Sequence, residues 1–74
     1  MVPQHYKDFI QIGLNIMRYR KERGLTQEQL AELTGYSRQQ IQRVETANAA
    51  PSMAILLDIS DALQVPLERL IEIR

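Results

Sequence analysis

The sequence predicts an all-α fold, a compact bundle of five helices, and three observations predict it. Apolar residues recur at helical spacing along the chain, and no alternation of strand period competes with them. Two segments carry capping boxes, Thr26 with Gln29 and Ser37 with Gln40, in which a hydroxyl accepts from an orphan amide while the glutamine reaches back. Gly24, Gly35, Pro51 and Pro66 then punctuate the pattern at helix ends and starts. Seventy-four residues make a single domain, 1–74, and the 45% apolar share suits a compact fold rather than a disordered tail.

The first helix is expected from about Asp8 to Arg23, ended by Gly24, with residues 1–7 as a flexible N-terminal segment. Phe9, Ile12 and Ile16 recur at i, i+3 and i+7 and form its core stripe. The second helix runs from Gln27 to Thr34, and the third starts after Ser37 and ends near Thr46. Between them Gly35 can take positive φ at little steric cost. Ala31 is small where a second helix must cross close by, while Ile41 and Val44 make one apolar face three residues apart. Two short helices crossing steeply over such a turn form a helix-turn-helix, whose second helix usually lies in the DNA major groove.

Ala47 to Pro51 reads as a linker, because proline disfavours helix at the residue before it. Ser52 is the expected N-cap of a fourth helix, Met53 to Gln64, with Met53, Leu56, Ile59 and Leu63 facing inward and Ser60 at the edge of that stripe. Pro66 opens a fifth helix carrying Leu67, Leu70 and Ile71.

Composition excludes several classes of function. Without cysteine, neither a disulfide framework nor a thiolate metal site is possible, and His5 is the single histidine, so no metal or other cofactor is expected. No catalytic arrangement stands out: Ser37, Ser52 and Ser60 are better explained as caps or core-edge residues, and the chain does not read as an enzyme with a small-molecule substrate. Tyr6, Tyr19 and Tyr36 are too scattered for a single-strand stacking platform, and Tyr36 is expected to pack beside the turn. No signal peptide opens the chain, and no stretch approaches the roughly 18 apolar residues of a membrane span. A soluble cytoplasmic protein is the expectation.

The net charge of zero conceals a split. Up to Val44 seven basic residues (Lys7, Arg18, Arg20, Lys21, Arg23, Arg38, Arg43) face four acidic ones (Asp8, Glu22, Glu28, Glu32). From Glu45 onward two basic residues (Arg69, Arg74) face five acidic ones (Glu45, Asp58, Asp61, Glu68, Glu72). Such a molecule can turn one face to phosphate and keep the other away.

From Ile12 to about Ile71 the chain resembles the Cro and phage-repressor type helix-turn-helix family, also called the XRE family. The stretches carrying the likeness are RKERGLTQEQLAELTGYSRQQIQRVE (Arg20 to Glu45) and PSMAILLDISDALQVPLERL (Pro51 to Leu70). The resemblance implies a lambda-repressor-like DNA-binding domain and sequence-specific regulation of transcription, by a repressor that binds a palindromic operator as a homodimer.

At about 100° per residue, Ile41 and Val44 set the buried side of the third helix. Gln39 then points almost directly away, with Gln42 and Arg43 flanking it and Arg38 to one side. Glutamine can pair with adenine N6 and N7, and arginine with guanine O6 and N7. The resemblance assigns base reading to Arg38, Gln39 and Arg43, and Gln42 joins them on geometry. It also implies that Gln27 contacts phosphate and braces the recognition helix, and that Arg20 and Glu45 form a structural ion pair. Ser37, Thr46, Arg18, Lys21 and Arg23 are further phosphate candidates, with local capping or solvation as the competing roles.

One departure concerns the loop after Glu45. Family members usually continue Asn-Gly and then basic residues, where this chain reads Thr46-Ala47-Asn48-Ala49. Either Asn48 takes the left-handed conformation or the third helix runs longer. The loop also lacks phosphate-binding charge, which predicts low non-specific affinity and shallow salt dependence. The extra apolar residues Ile55, Leu57, Ile71 and Ile73 are candidates for an isologous dimer interface, against the alternative of additional core. A second reading belongs to another class: a protein-interaction module, such as an antitoxin or partner-binding regulator, that keeps the fold with weak DNA binding. Within 74 residues there is no room for a separate ligand domain, so control is expected through concentration or a protein effector.

Overall fold

The computed structural model describes residues 4–73 as five helices: α1 Tyr6–Glu22, α2 Gln27–Thr34, α3 Arg38–Glu45, α4 Met53–Leu63 and α5 Leu67–Leu70. Helix α1 begins two residues before the expected Asp8, so Tyr6 and Lys7 belong to its first turn rather than to a flexible segment. Residues 1–3, also assigned to that segment, lie outside the described residues.

Helices α2, α3 and α4 are each started by a side chain. Thr26 Oγ1 accepts from the Gln29 amide at 3.0 Å while Gln29 Oε1 accepts from the Thr26 amide at 2.9 Å. Ser37 and Gln40 repeat this pattern at 3.1 and 2.8 Å, and Ser52 Oγ accepts from the Ile55 amide at 3.1 Å. Five backbone amides at the helix starts are thereby satisfied.

Ile16, Leu30, Ile41, Ile59, Leu63 and Leu70 are fully buried at the centre, one or more from every helix. Helix α3 rests on α1 and α2, and α2 rests on α4. On α4 the inward stripe is Ile55, Leu56, Ile59 and Leu63, which corrects two expectations. Met53 is exposed, and Ile55 is buried in the monomer core and is therefore excluded from any dimer interface. At 100° per residue the axis of the buried set falls between Leu56 and Ile59, which carries Met53 out to the flank and brings Ile55 inward. Leu70 is likewise buried, whereas Ile71 is 38% exposed rather than part of the core.

Helix α3 ends in a Schellman motif. The Ala47 amide donates to Val44 O at 3.3 Å and the Asn48 amide to Arg43 O at 2.8 Å. The position that needs positive φ is Ala47 itself, at +59°, not Asn48, and α3 is not lengthened. An L-residue with a Cβ pays about 1–2 kcal/mol there. Ala47→Gly is therefore expected to stabilise the domain by about 1 kcal/mol, after the entropy cost of a glycine in the unfolded chain. Calorimetry should show a melting midpoint higher by about 4–8 °C; an unchanged or lower midpoint would refute the strain.

Candidate nucleic-acid interface

Helix α3 is seated by three side chains and presents the rest. Ile41, Val44 and Glu45 are buried, while Arg38, Gln39, Gln42 and Arg43 are exposed. The other glutamines of the helix-turn-helix are engaged: Gln27 with Glu45, Gln29 and Gln40 in their capping boxes. The side-chain donors of Arg38, Gln39, Gln42 and Arg43 have no intramolecular partner among the described residues. Four forked donors on one ridge suit base edges in a major groove.

A buried network fixes the ridge. Arg20 Nε donates to Glu45 Oε2 at 2.6 Å and Arg20 Nη2 to Glu45 Oε1 at 3.0 Å, a bidentate pair whose side chains are 9% and 0% exposed. Arg20 Nη1 donates to Leu25 O at 2.8 Å, in the segment leading to α2. Gln27 Nε2 donates to Glu45 Oε1 at 3.0 Å. One carboxylate at the end of α3 thus ties together α1, the start of α2 and α3, as the resemblance implied for Arg20 and Glu45.

The phosphate candidates separate into two groups. Lys21, Gln27 and Arg38 line one shallow concavity with Gly24, Leu25 and Thr26, at the N-terminus of α2, where free amides and the helix dipole favour an anion. Glu28 also lines it and opposes that field. Ser37 Oγ accepts from Gln40 and keeps its own hydrogen free to donate. The others are engaged locally. Arg18 is paired with Glu22 at 3.2 Å and lies over the Tyr19 ring, away from the concavity. Thr46 Oγ1 donates to Gln42 O at 2.8 Å and accepts from Asn48 Nδ2, a capping role at the end of α3. Arg23 donates to Leu63 O at 2.7 Å and Gln64 O at 3.2 Å, so it caps the end of α4.

On the other side of α3 a groove runs along Tyr36, Gln40, Arg43, Ala49, Ala50 and Ile55. Among the described residues Arg43 is the one cation on its walls, so the missing charge of the Ala47 to Ala50 loop is a property of the folded surface. Tyr36 packs against the core, and its hydroxyl donates to Asp58 Oδ2 on α4 at 2.7 Å. That bond to a carboxylate raises the Tyr36 hydroxyl above its ordinary value of 10.0.

Two residues of α1 that hold its neighbours in place carry no signal in the sequence. Gly13 lies on α1 where α3 ends, and a Cβ there would meet Val44 O at 2.7 Å and the Glu45 carbonyl carbon at 2.8 Å. Asn15, buried on the same helix, donates to Leu70 O at 3.0 Å and Glu72 O at 2.8 Å and accepts from Gln11 Nε2 at 2.8 Å, which clasps the C-terminal segment onto α1.

Comparison with known proteins agrees with this geometry. The helix-turn-helix family model HTH_3 matches residues 16–70. A regulator of the HTH type from Sinorhizobium fredii is 35% identical over 54 residues, covering 73% of this chain and 70% of the relative. The restriction-modification controller protein C.AhdI of Aeromonas hydrophila superposes with a TM-score of 0.87 at 31% identity, over 92% of this chain and 99% of that one. The P22 c2 repressor, solved in complex with a synthetic operator, superposes with a TM-score of 0.76 at 30% identity, over 82% of this chain and 92% of that one. The chain therefore belongs to the helix-turn-helix family and is a DNA-binding regulator of transcription.

Proposed function

We propose that the protein is a cytoplasmic repressor that binds a palindromic operator as a homodimer, with α3 of each copy in the major groove. The observation that carries this reading is the exposed ridge of Arg38, Gln39, Gln42 and Arg43, without partners among the described residues, on a helix seated by buried Ile41, Val44 and Glu45. Gln39 stands at the centre of the ridge and makes the main base contact, with Gln42 and Arg43 beside it. Arg38 reads the base nearest the concavity that it shares with Lys21 and Gln27, and those two hold the phosphate alongside. The likeness to the P22 c2 repressor, whose structure holds a synthetic operator, supports the repressor role.

Dimerisation would use the exposed apolar groups late in the chain: Leu57 on α4, 46% exposed, with Ile71 and Ile73 after α5, 38% and 52% exposed. A two-fold pair is the usual way for such a small reader to gain enough base pairs. Sedimentation at micromolar concentration should therefore give a dimer.

Selection of bound sequences from a random duplex pool tests the reading. A palindrome should be recovered, and Gln39→Ala should weaken binding to it by a factor of about 5–150, one bidentate contact of about 1–3 kcal/mol. The slope of log K against log salt should be shallow, because the groove beside Arg43 is otherwise uncharged. No enrichment even at low salt would favour the interaction module, in which a protein partner occupies the fold.

A further inference from the structure

The two ends of the Tyr36–Asp58 hydrogen bond lie on different functional parts of the domain. Tyr36 sits in the turn between α2 and α3, immediately before the Ser37 cap from which the recognition helix starts. Asp58 sits on α4, next to Leu57 on the exposed face assigned above to dimerisation. Helix α3 itself rests on α1 and α2, and a groove separates it from the first turn of α4. Tyr36 and Ile55 both line that groove, so the tyrosine ring forms one wall and its hydroxyl reaches across to α4. The bond spans 22 positions in sequence and measures 2.7 Å, within the range of a charge-assisted bond from a hydroxyl to a carboxylate.

We infer that Tyr36 is a positioning residue for operator recognition: its hydroxyl, held by Asp58, sets the angle of the recognition helix relative to the dimerising helix. The inference rests on the homodimer reading. In a two-fold reader each α3 must meet its half-site about 34 Å from the other, and a small rotation of α3 against α4 is doubled across the pair. A strut between turn and α4 resists that rotation, whereas the capping box alone fixes only where α3 begins. The phenol keeps its proton through the neutral range, since the neighbouring carboxylate raises its titration. The strut is therefore intact under the conditions in which DNA is bound.

The test uses the full chain and operators that differ only in half-site spacing. Tyr36→Phe keeps the ring against the core and removes the hydroxyl; Asp58→Ala removes the acceptor from an exposed position on α4. Each should lower affinity for the correctly spaced operator by about three- to tenfold. Each should leave non-specific binding unchanged and should reduce the preference over operators with one base pair added or removed, and Tyr36→Phe, in the turn before α3, should leave the dimer constant unchanged. The double variant should be no worse than either single one. Unchanged spacing preference in both variants overturns the inference, and so does an equal loss on specific and non-specific DNA. If the unmodified protein shows no preferred spacing at all, it is the homodimer reading that fails, and with it the ground for a strut.

Discussion

Glu45→Ala is expected to cost the fold about 3–5 kcal/mol, the usual result of removing one partner from a buried ion pair. The carboxylate is fully enclosed and accepts from Arg20 Nε, Arg20 Nη2 and Gln27 Nε2. Its loss strands the guanidinium of the buried Arg20, with only the Leu25 carbonyl to accept from it. A domain of this size holds a net stability near the lower end of about 5–15 kcal/mol, so the variant should be largely unfolded at modest urea concentration. Denaturation followed by circular dichroism measures this directly. The double variant Arg20→Met with Glu45→Leu separates the causes. Replacing both charges by apolar groups of similar volume is often neutral or stabilising, so most of the lost stability should return. A double variant as unstable as the single one would mean that packing, not a stranded charge, is at stake. DNA binding should stay weak in either case, because Gln27 loses the acceptor that holds it at the start of α2.

That pair was legible only through the resemblance, since 25 positions separate its members and no local pattern joins them. The capping boxes and the Gly35 turn were legible directly, because their chemistry closes within three or four residues. The ridge was legible for a similar reason: once Ile41 and Val44 fix the buried side of α3, helical geometry alone turns Gln39 outward. Periodicity failed on α4, where one apolar residue per turn fits two neighbouring phases. The sequence favoured the phase through Met53, and packing against α2 selected the one through Ile55. The Ala47 strain was out of reach for a different reason. A Schellman motif is imposed by where the chain must go next, and a side chain with no preference for positive φ gives no warning of it. Asn15 was silent because its partners are two main-chain carbonyls, 55 and 57 positions away, which leave no mark on residue identity.

Gly13→Ala should destabilise the protein by about 2 kcal/mol or more, although alanine is the better helix former by about 1 kcal/mol. Gly13 lies inside α1, and the reason for it is steric, not conformational. An added Cβ would collide with the Val44 and Glu45 carbonyls, which are main-chain atoms in the last turn of α3 and cannot swing aside as a side chain can. Helix α1 would have to move away from α3, and overpacking of this kind typically costs about 1–3 kcal/mol, sometimes more. The same displacement pulls Arg20, two turns further along α1, out of line with Glu45 and so loosens the seat of the recognition helix. Two readouts should therefore fall together, the urea midpoint and the affinity for the selected operator. Gly24→Ala is the control. A Cβ there meets nothing within 4 Å, and only its φ of +71° opposes the change. That variant should lose about 1–2 kcal/mol from backbone strain alone, with no steric displacement of α1 from α3. If Gly13→Ala instead stabilised the domain, helix propensity would outweigh the contact, and α1 and α3 would have to be less closely packed than the Gly13 contact requires.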